Sequence, residues 1–272
     1  MKADETRLGG VLGGPRQYVV PYFQRAYSWG RQQWNTLLDD ILELYESGSP
    51  HGHFLGSIVL LAENGAFPGP GDGGGRPLTQ PRGIGSSPRK GTRGGSAGQT
   101  GGPAPTLLID GQQRLVTLCL FLCAVRDLAR DTLPELAERI HASCLVNEAP
   151  PGPYQLKVTC TYQDRAAFAS VVGLAGDHFP LPPGEGQGEG KHLVFSPITD
   201  AYAVFKSALS SEVQKGLDLV RLEEILLRQL SFVAITLDSE DNPYRIFESL
   251  NAKGMPLTQG DLLRNYFFMR LP

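Results

Sequence analysis

The sequence predicts an α+β domain with a small mixed sheet and a mainly helical C-terminal portion. Short apolar, β-branched runs are interleaved early with stretches whose apolar residues recur at three and four. The later half is dominated by the second pattern. A hydrophobic content of 41% over 272 residues is enough to bury a real core.

The elements follow in order. Gln17–Val20 is β-like and ends at Pro21. From Arg31 to Tyr45 the residues Trp34, Leu37, Leu38, Ile41, Leu42 and Tyr45 share one helix face. His53–Leu61 reads as a strand, with Gly56 as a bulge or a point of close approach. Residues 64–105 then break the pattern. They are rich in Gly, Pro, Ser and Arg, and such a stretch cannot offset its own chain entropy, so it reads as a disordered insertion. It holds a formal GxGxxG at Gly69, Gly71 and Gly74, but no strand precedes it and no helix follows, so it is not a dinucleotide fingerprint.

A strand, Thr106–Ile109, leads into a helix over Gln112–Arg130, and Leu133–Leu145 extends the helical region. Tyr154–Cys160 reads as a strand and Gln163–Val172 as a helix. Gly176–Lys191 is a second flexible loop. Helices are expected near Pro197–Leu209 and Leu217–Leu230, and Ser231–Asp238 is a buried strand. Two further helices follow, one with Pro243 in its first turn and Gly254 past its end, the other N-capped by Thr258. This divides the chain into a core over 1–172 and a helical portion over 173–272 that packs on it and closes the site. The chain stops inside an apolar helix, so it reads as the N-terminal piece of something longer.

A net charge of −3 argues against a general polyanion binder. The insertion carries Arg76, Arg82, Arg89, Lys90 and Arg93 against Asp72, so it holds +4 and the rest of the chain −7. Cys119, Cys123, Cys144 and Cys160 form no CxxC pair and read as buried thiols. The five histidines fall in no metal-binding spacing. No signal peptide and no membrane-length apolar run is present, so a reducing cytoplasmic setting is the expectation.

"LLIDGQQRLVTL", Leu107–Leu118, places a carboxylate, a glycine, two amides and an arginine between a buried strand and a buried helix. The first N–H groups of a helix lack partners and its dipole favours anions, so the turn suits a phosphate. Gly111 permits close approach, Arg114 offers a forked guanidinium, and Gln112 and Gln113 can donate to oxygens or orient a water. Asp110 suits Mg²⁺ or a ribose hydroxyl. The same residues also fit an ordinary capped helix start, and the local pattern leaves both readings open.

Four stretches together resemble the N-terminal domain of GmrSD-type modification-dependent restriction enzymes. "IDGQQRLVTL" is similar to that family's DGQQR motif. "VPYFQRAYSW", "HFLGSIVL" and "RIFESLNAKGMPLTQGDLLRNYF" resemble its other signatures in order and spacing. The match covers nearly the whole chain outside the two flexible loops. The resemblance implies a ParB/sulfiredoxin-like core that binds nucleoside triphosphate with Mg²⁺. It implies hydrolysis served by Asp110, Gln112, Gln113 and Arg114, with Asp110 as the metal ligand. Gly111, Gln24, Arg25, Asn251, Lys253, Asp261 and Arg264 are implied to bind nucleotide. Tyr22, Phe23, Tyr27 and Trp29 are implied to sense DNA, although the pattern alone reads Tyr27 and Trp29 as core aromatics and Arg25 as a surface cation.

The implied role is an NTPase and DNA-modification sensor in an antiviral restriction system. Phosphorothioate-carrying or glycosylated DNA is the implied partner. The implied effector is an HNH-type nuclease domain or subunit, and a homodimer is compatible with the family. The alternative is a nucleotide-switched DNA-binding module without turnover. Phe23 stands where the family usually has Tyr, Val116 where Thr is common, and Lys253 where Arg is common. The last of these loses a bidentate fork.

Overall fold

The computed structural model of the chain describes residues 1–21, 24–48, 52–62, 105–149, 155–174, 196–238, 241 and 246. The expected insertion, the Gly176–Lys191 loop and the two C-terminal helices lie outside the described residues. Six strands form one mixed sheet: β1 (Lys2–Arg7), β2 (Gln17–Val19), β3 (His53–Ala62), β4 (Pro105–Asp110), β5 (Val158–Thr159) and β6 (Leu230–Leu237). Their spatial order is β1-β6-β3-β4-β2-β5. β2 runs parallel to both β4 and β5, and β3 runs parallel to β6. β1 pairs antiparallel with β6, and β3 with β4. The expected α+β class with a mixed sheet is what the chain adopts.

The described helices are α1 (Leu8–Leu12), α2 (Arg31–Ser47), α3 (Gln112–Ala129), α4 (Pro134–Ile140), α5 (Tyr162–Val172), α6 (Pro197–Gln214) and α7 (Leu219–Gln229). A π-helical turn, His141–Leu145, follows α4. α2 buries Trp34, Leu37, Leu38, Ile41 and Leu44, the face its three–four spacing marks. α3 is buried nearly all round, from Leu115 to Ala129, because α4, α5, α6 and α7 surround it. Arg126 fastens two of these neighbours. It donates to the carbonyls of Val171 (2.9 Å) and Val172 (2.6 Å) at the end of α5 and pairs with Asp127, which accepts the Tyr202 hydroxyl of α6 at 2.7 Å.

Ile58 and Leu60 of β3 join this helical core, so by strand alternation Val59 and Leu61 face the other side of the sheet, where they too are buried. The four cysteines are free and buried. Burial pushes the Cys123 thiol up to about 12 and that of Cys144 to about 11, which leaves them inert packing groups. No helix among the described residues is long and apolar enough to cross a membrane.

The described residues beyond 172 share the sheet and the buried core of those before it. β6 lies inside the sheet between β1 and β3, and Phe205, Leu209, Leu222 and Leu226 of α6 and α7 join the same buried cluster as α3. The described part of 173–272 is therefore built into the core. The strand expected over Tyr154–Cys160 reduces to two residues of β5 and an isolated bridge from Leu156 to Val146.

Candidate functional site

β2, β4 and β5 run parallel, so their C-terminal ends share one edge of the sheet. Ligands of α/β sheets gather at such an edge. α3 rises from it after β4, and α5 after β5. Asp110 ends β4 and Gly111 is the N-cap of α3, with no side chain capping the first turn.

Three of the four sequence motifs meet here. The segment 24–30 is clamped onto the start of α3 through side-chain amides. Gln24, buried, donates to the carbonyls of Leu108 (3.2 Å) and Ile109. Gln112 donates to the Arg25 carbonyl at 3.0 Å. Gln113 accepts the N–H groups of Ser28 (2.8 Å) and Trp29 (3.3 Å) and donates to the Ala26 carbonyl at 3.3 Å. The β3 motif closes the other side. Arg114 Nη1 donates to the Ser57 carbonyl at 2.6 Å, and its guanidinium lies against Gly56. A Cβ on Gly56 would stand 2.8 Å from Nη1, so the glycine at the β3 bulge is the space the arginine occupies.

The surroundings of several expected site residues follow from this geometry. Gln112 and Gln113 were expected to contact the nucleophile; both amides are buried and bonded to backbone, so they hold the 25–29 segment in place. Gly111 was expected to open space for a phosphate. Its φ of +90° does require glycine, but its bare Cα faces β3: a Cβ would stand 2.7 Å from Ile58 Cγ2 and 3.1 Å from the Ser57 carbonyl oxygen. Tyr27 was expected on a DNA-sensing surface and is instead buried. Its hydroxyl accepts from Trp34 Nε1 at 2.8 Å and donates to Thr117 Oγ1 at 2.7 Å, and Thr117 donates to the Gln113 carbonyl at 2.6 Å. Burial pushes the Tyr27 phenol up to about 12.

Trp29 is half-buried, packed against the core edge. Tyr22, Phe23, Asn251, Lys253, Asp261 and Arg264 lie outside the described residues. Sequence reasoning missed Asp164, which accepts the Tyr27 N–H and the Thr161 hydroxyl, both at 2.7 Å, and so ties α5 to the same segment. Its signal was Thr161-x-x-Asp164 at a helix start.

Replacing Tyr27 with Phe leaves the buried Trp34 Nε1–H without its acceptor. The expected loss is roughly 1–3 kcal/mol of unfolding free energy, read from urea denaturation. A loss near zero would mean the three-residue chain does not fasten the segment.

What remains open to a ligand is Asp110, Arg114 and Arg25, all half-buried. Burial raises the Asp110 carboxyl above its ordinary value; Arg114, the Gly111 N–H and Arg25 partly offset this. The donors of Arg114 other than Nη1 have no partner among the described residues. No group of three His, Cys, Asp or Glu among the described residues could hold a metal. One carboxylate fits a Mg²⁺ that arrives on a nucleotide and keeps most of its water, and does not fit an all-protein cage. Two shallow cavities, of about 290 and 310 Å³, lie at the end of α7 beside Arg228 and Gln229, away from these residues.

The family model of the GmrSD restriction endonuclease N-terminal domain matches residues 8–268. The chain belongs to this family. As a GmrSD N-terminal domain it is a module of a restriction system. No curated protein matches the chain significantly.

Proposed function

We propose that this GmrSD N-terminal domain binds a nucleoside triphosphate at the start of α3, hydrolyses it, and thereby gates a nuclease that acts on modified DNA. The observation that carries the reading is the convergence on one sheet edge of a half-buried carboxylate, Asp110, with two guanidinium groups, Arg25 and Arg114. Arg114 holds a phosphate through the donors that Ser57 does not use. Asp110 would hold Mg²⁺, which when bound neutralises phosphate charge. Arg25 faces Asp110 from a segment fixed at Gln112, Gln113 and Asp164. These three are positioning residues that set where the Arg25 guanidinium stands. The nuclease is of the HNH type, in a further domain or subunit, and the DNA carries phosphorothioate linkages or glycosylated bases.

Phosphate release by the purified protein from ATP and from GTP, with Mg²⁺ and with or without phosphorothioate DNA, tests this. Release stimulated by the DNA supports the reading. A second reading is favoured by Gln113, whose amide oxygen and nitrogen both bond backbone and so do not place a water: nucleotide binding acts as a switch without turnover. Tight nucleotide binding with no phosphate release would select it, and neither binding nor release would discard both.

The raised Asp110 carboxyl adds a stability signature. An acid whose folded pKa lies above its unfolded value destabilises the fold when ionised, and that cost sets in as pH rises from its ordinary value of 3.8 through the raised one. Above the raised value the cost is in full. Asp110→Asn is therefore expected to raise Tm by roughly 1–3 °C at pH 7 while abolishing turnover, with the gain fading in acid. Scanning calorimetry at two pH values checks it; a lower Tm at pH 7 would mean that the carboxylate stabilises the fold.

A further inference from the structure

Arg165, the fourth residue of α5, is a half-buried cation that the site described above does not use. Its Nε is enclosed and has no hydrogen-bond partner among the described residues, and no carboxylate among them pairs with it. The nearest candidate in sequence, Asp164, is already committed to the Tyr27 N–H and the Thr161 hydroxyl. Burial pulls the Arg165 guanidinium below its ordinary value, partly offset by Cys160 and Tyr162. Arg126, by contrast, pairs with Asp127 and donates to two carbonyls. A guanidinium taken out of water without a counter-charge is costly, and an anion that binds there recovers that cost.

The position of Arg165 says what the anion is near. β5 pairs with β2, which pairs with β4, so α5 and α3 rise from one edge. Asp164 ties the first turn of α5 to the segment that carries Arg25 and Trp29. Arg25, Arg114 and Arg165 thus stand on the segments that meet at this edge, where the acids named among the described residues are Asp110 and the satisfied Asp164, although the chain as a whole carries −3. A polyanionic ligand is attracted to this edge against the overall charge.

We propose that Arg165 is a phosphate-binding residue, its guanidinium taking an oxygen of a second phosphate on the ligand that reaches this edge. The phosphate is either the far end of a nucleoside triphosphate or one of a DNA backbone. For the ligand's identity the inference rests on the function proposed above.

Arg165→Gln is measured against the parent by titration with a non-hydrolysable ATP or GTP analogue, and by titration with a short DNA duplex at several salt concentrations. A roughly tenfold or greater weakening of the analogue alone assigns the residue to the nucleotide. An unchanged analogue affinity, with weaker DNA binding and a salt slope smaller by about one, assigns it to the DNA backbone. Parental affinity for both ligands overturns the assignment. If Arg165→Gln fails to fold, Arg165→Lys replaces it; it keeps the charge, loses the fork, and is expected to show a smaller loss of the same kind. A parent that binds neither ligand defeats the functional reading and this inference together. A parent that binds, with an Arg165 variant that binds equally, defeats only the inference.

Discussion

Arg114→Ala is expected to lower phosphate release by about 10²–10³-fold, the effect of removing one aimed donor from developing charge. The geometry makes this the most damaging single change to the proposed chemistry. The guanidinium is held at one point by the Ser57 carbonyl (2.6 Å) and lies in the space left by Gly56, so it is placed before any ligand arrives. Preorganised donors of this kind need no rearrangement as charge develops. Arg114→Lys keeps the charge but cannot bond Ser57 and a phosphate with one rigid fork, so it is expected to recover only part of the rate. Folding should change little, since one hydrogen bond from a half-buried group is worth about 1–2 kcal/mol. Steady-state phosphate release, with circular dichroism as the folding check, separates the two effects. Turnover equal to the parent would remove Arg114 from the mechanism and with it the proposed nucleotide site.

The parts of this fold that the sequence shows plainly are those whose apolar spacing has one explanation. α2, α3, β3 and β4 fall within about two residues of expectation: Trp34–Leu37–Leu38–Ile41 carries the helical period, and the apolar runs of α3, β3 and β4 are told apart by their length and flanking residues. β1 was missed because Lys2–Arg7 is an exposed edge strand, held to β6 by backbone bonds that side-chain type does not report. α1 was missed because Gly9 and Gly10 are poor helix formers. Gly9 is there for a tertiary reason: a Cβ would stand 2.9 Å from the Leu227 carbonyl oxygen.

The site shows the same divide. Sequence reasoning picked out Asp110, Gly111, Gln112, Gln113 and Arg114 as unusual, but could not tell which of them face a ligand. A glutamine that clamps backbone and one that orients water look alike until Ser28 and Trp29 are seen at Gln113 Oε1. For Tyr27 the residue pattern reads a core aromatic and the family resemblance a DNA contact, and the Trp34 and Thr117 contacts show it to be an internal strut.

The convergence of the β3 motif with the turn before α3 can be tested apart from any activity. Gly111→Ala is expected to destabilise the fold by roughly 2–5 kcal/mol, the sum of about 1–2 for a side chain in the left-handed region and about 1–3 for overpacking. The overpacking part has a specific origin: the new methyl would stand 2.7 Å from Ile58 Cγ2 and 3.1 Å from the Ser57 oxygen, and the second of these is backbone in the middle of a sheet. β3 has to shift to admit it, and that shift moves the carbonyl that holds Arg114. Gly173→Ala supplies the internal control. Gly173 ends α5 with φ +96°, close to the +90° of Gly111, but a Cβ there meets nothing within 4 Å. It should show the conformational part alone. Urea midpoints of the two variants, at matched m-values, therefore measure the contact between Gly111 and β3 by difference. If Gly111→Ala is no less stable than Gly173→Ala, Ile58 and Ser57 do not press on the turn, and the arrangement that aims Arg114 at the edge of the sheet is lost with them.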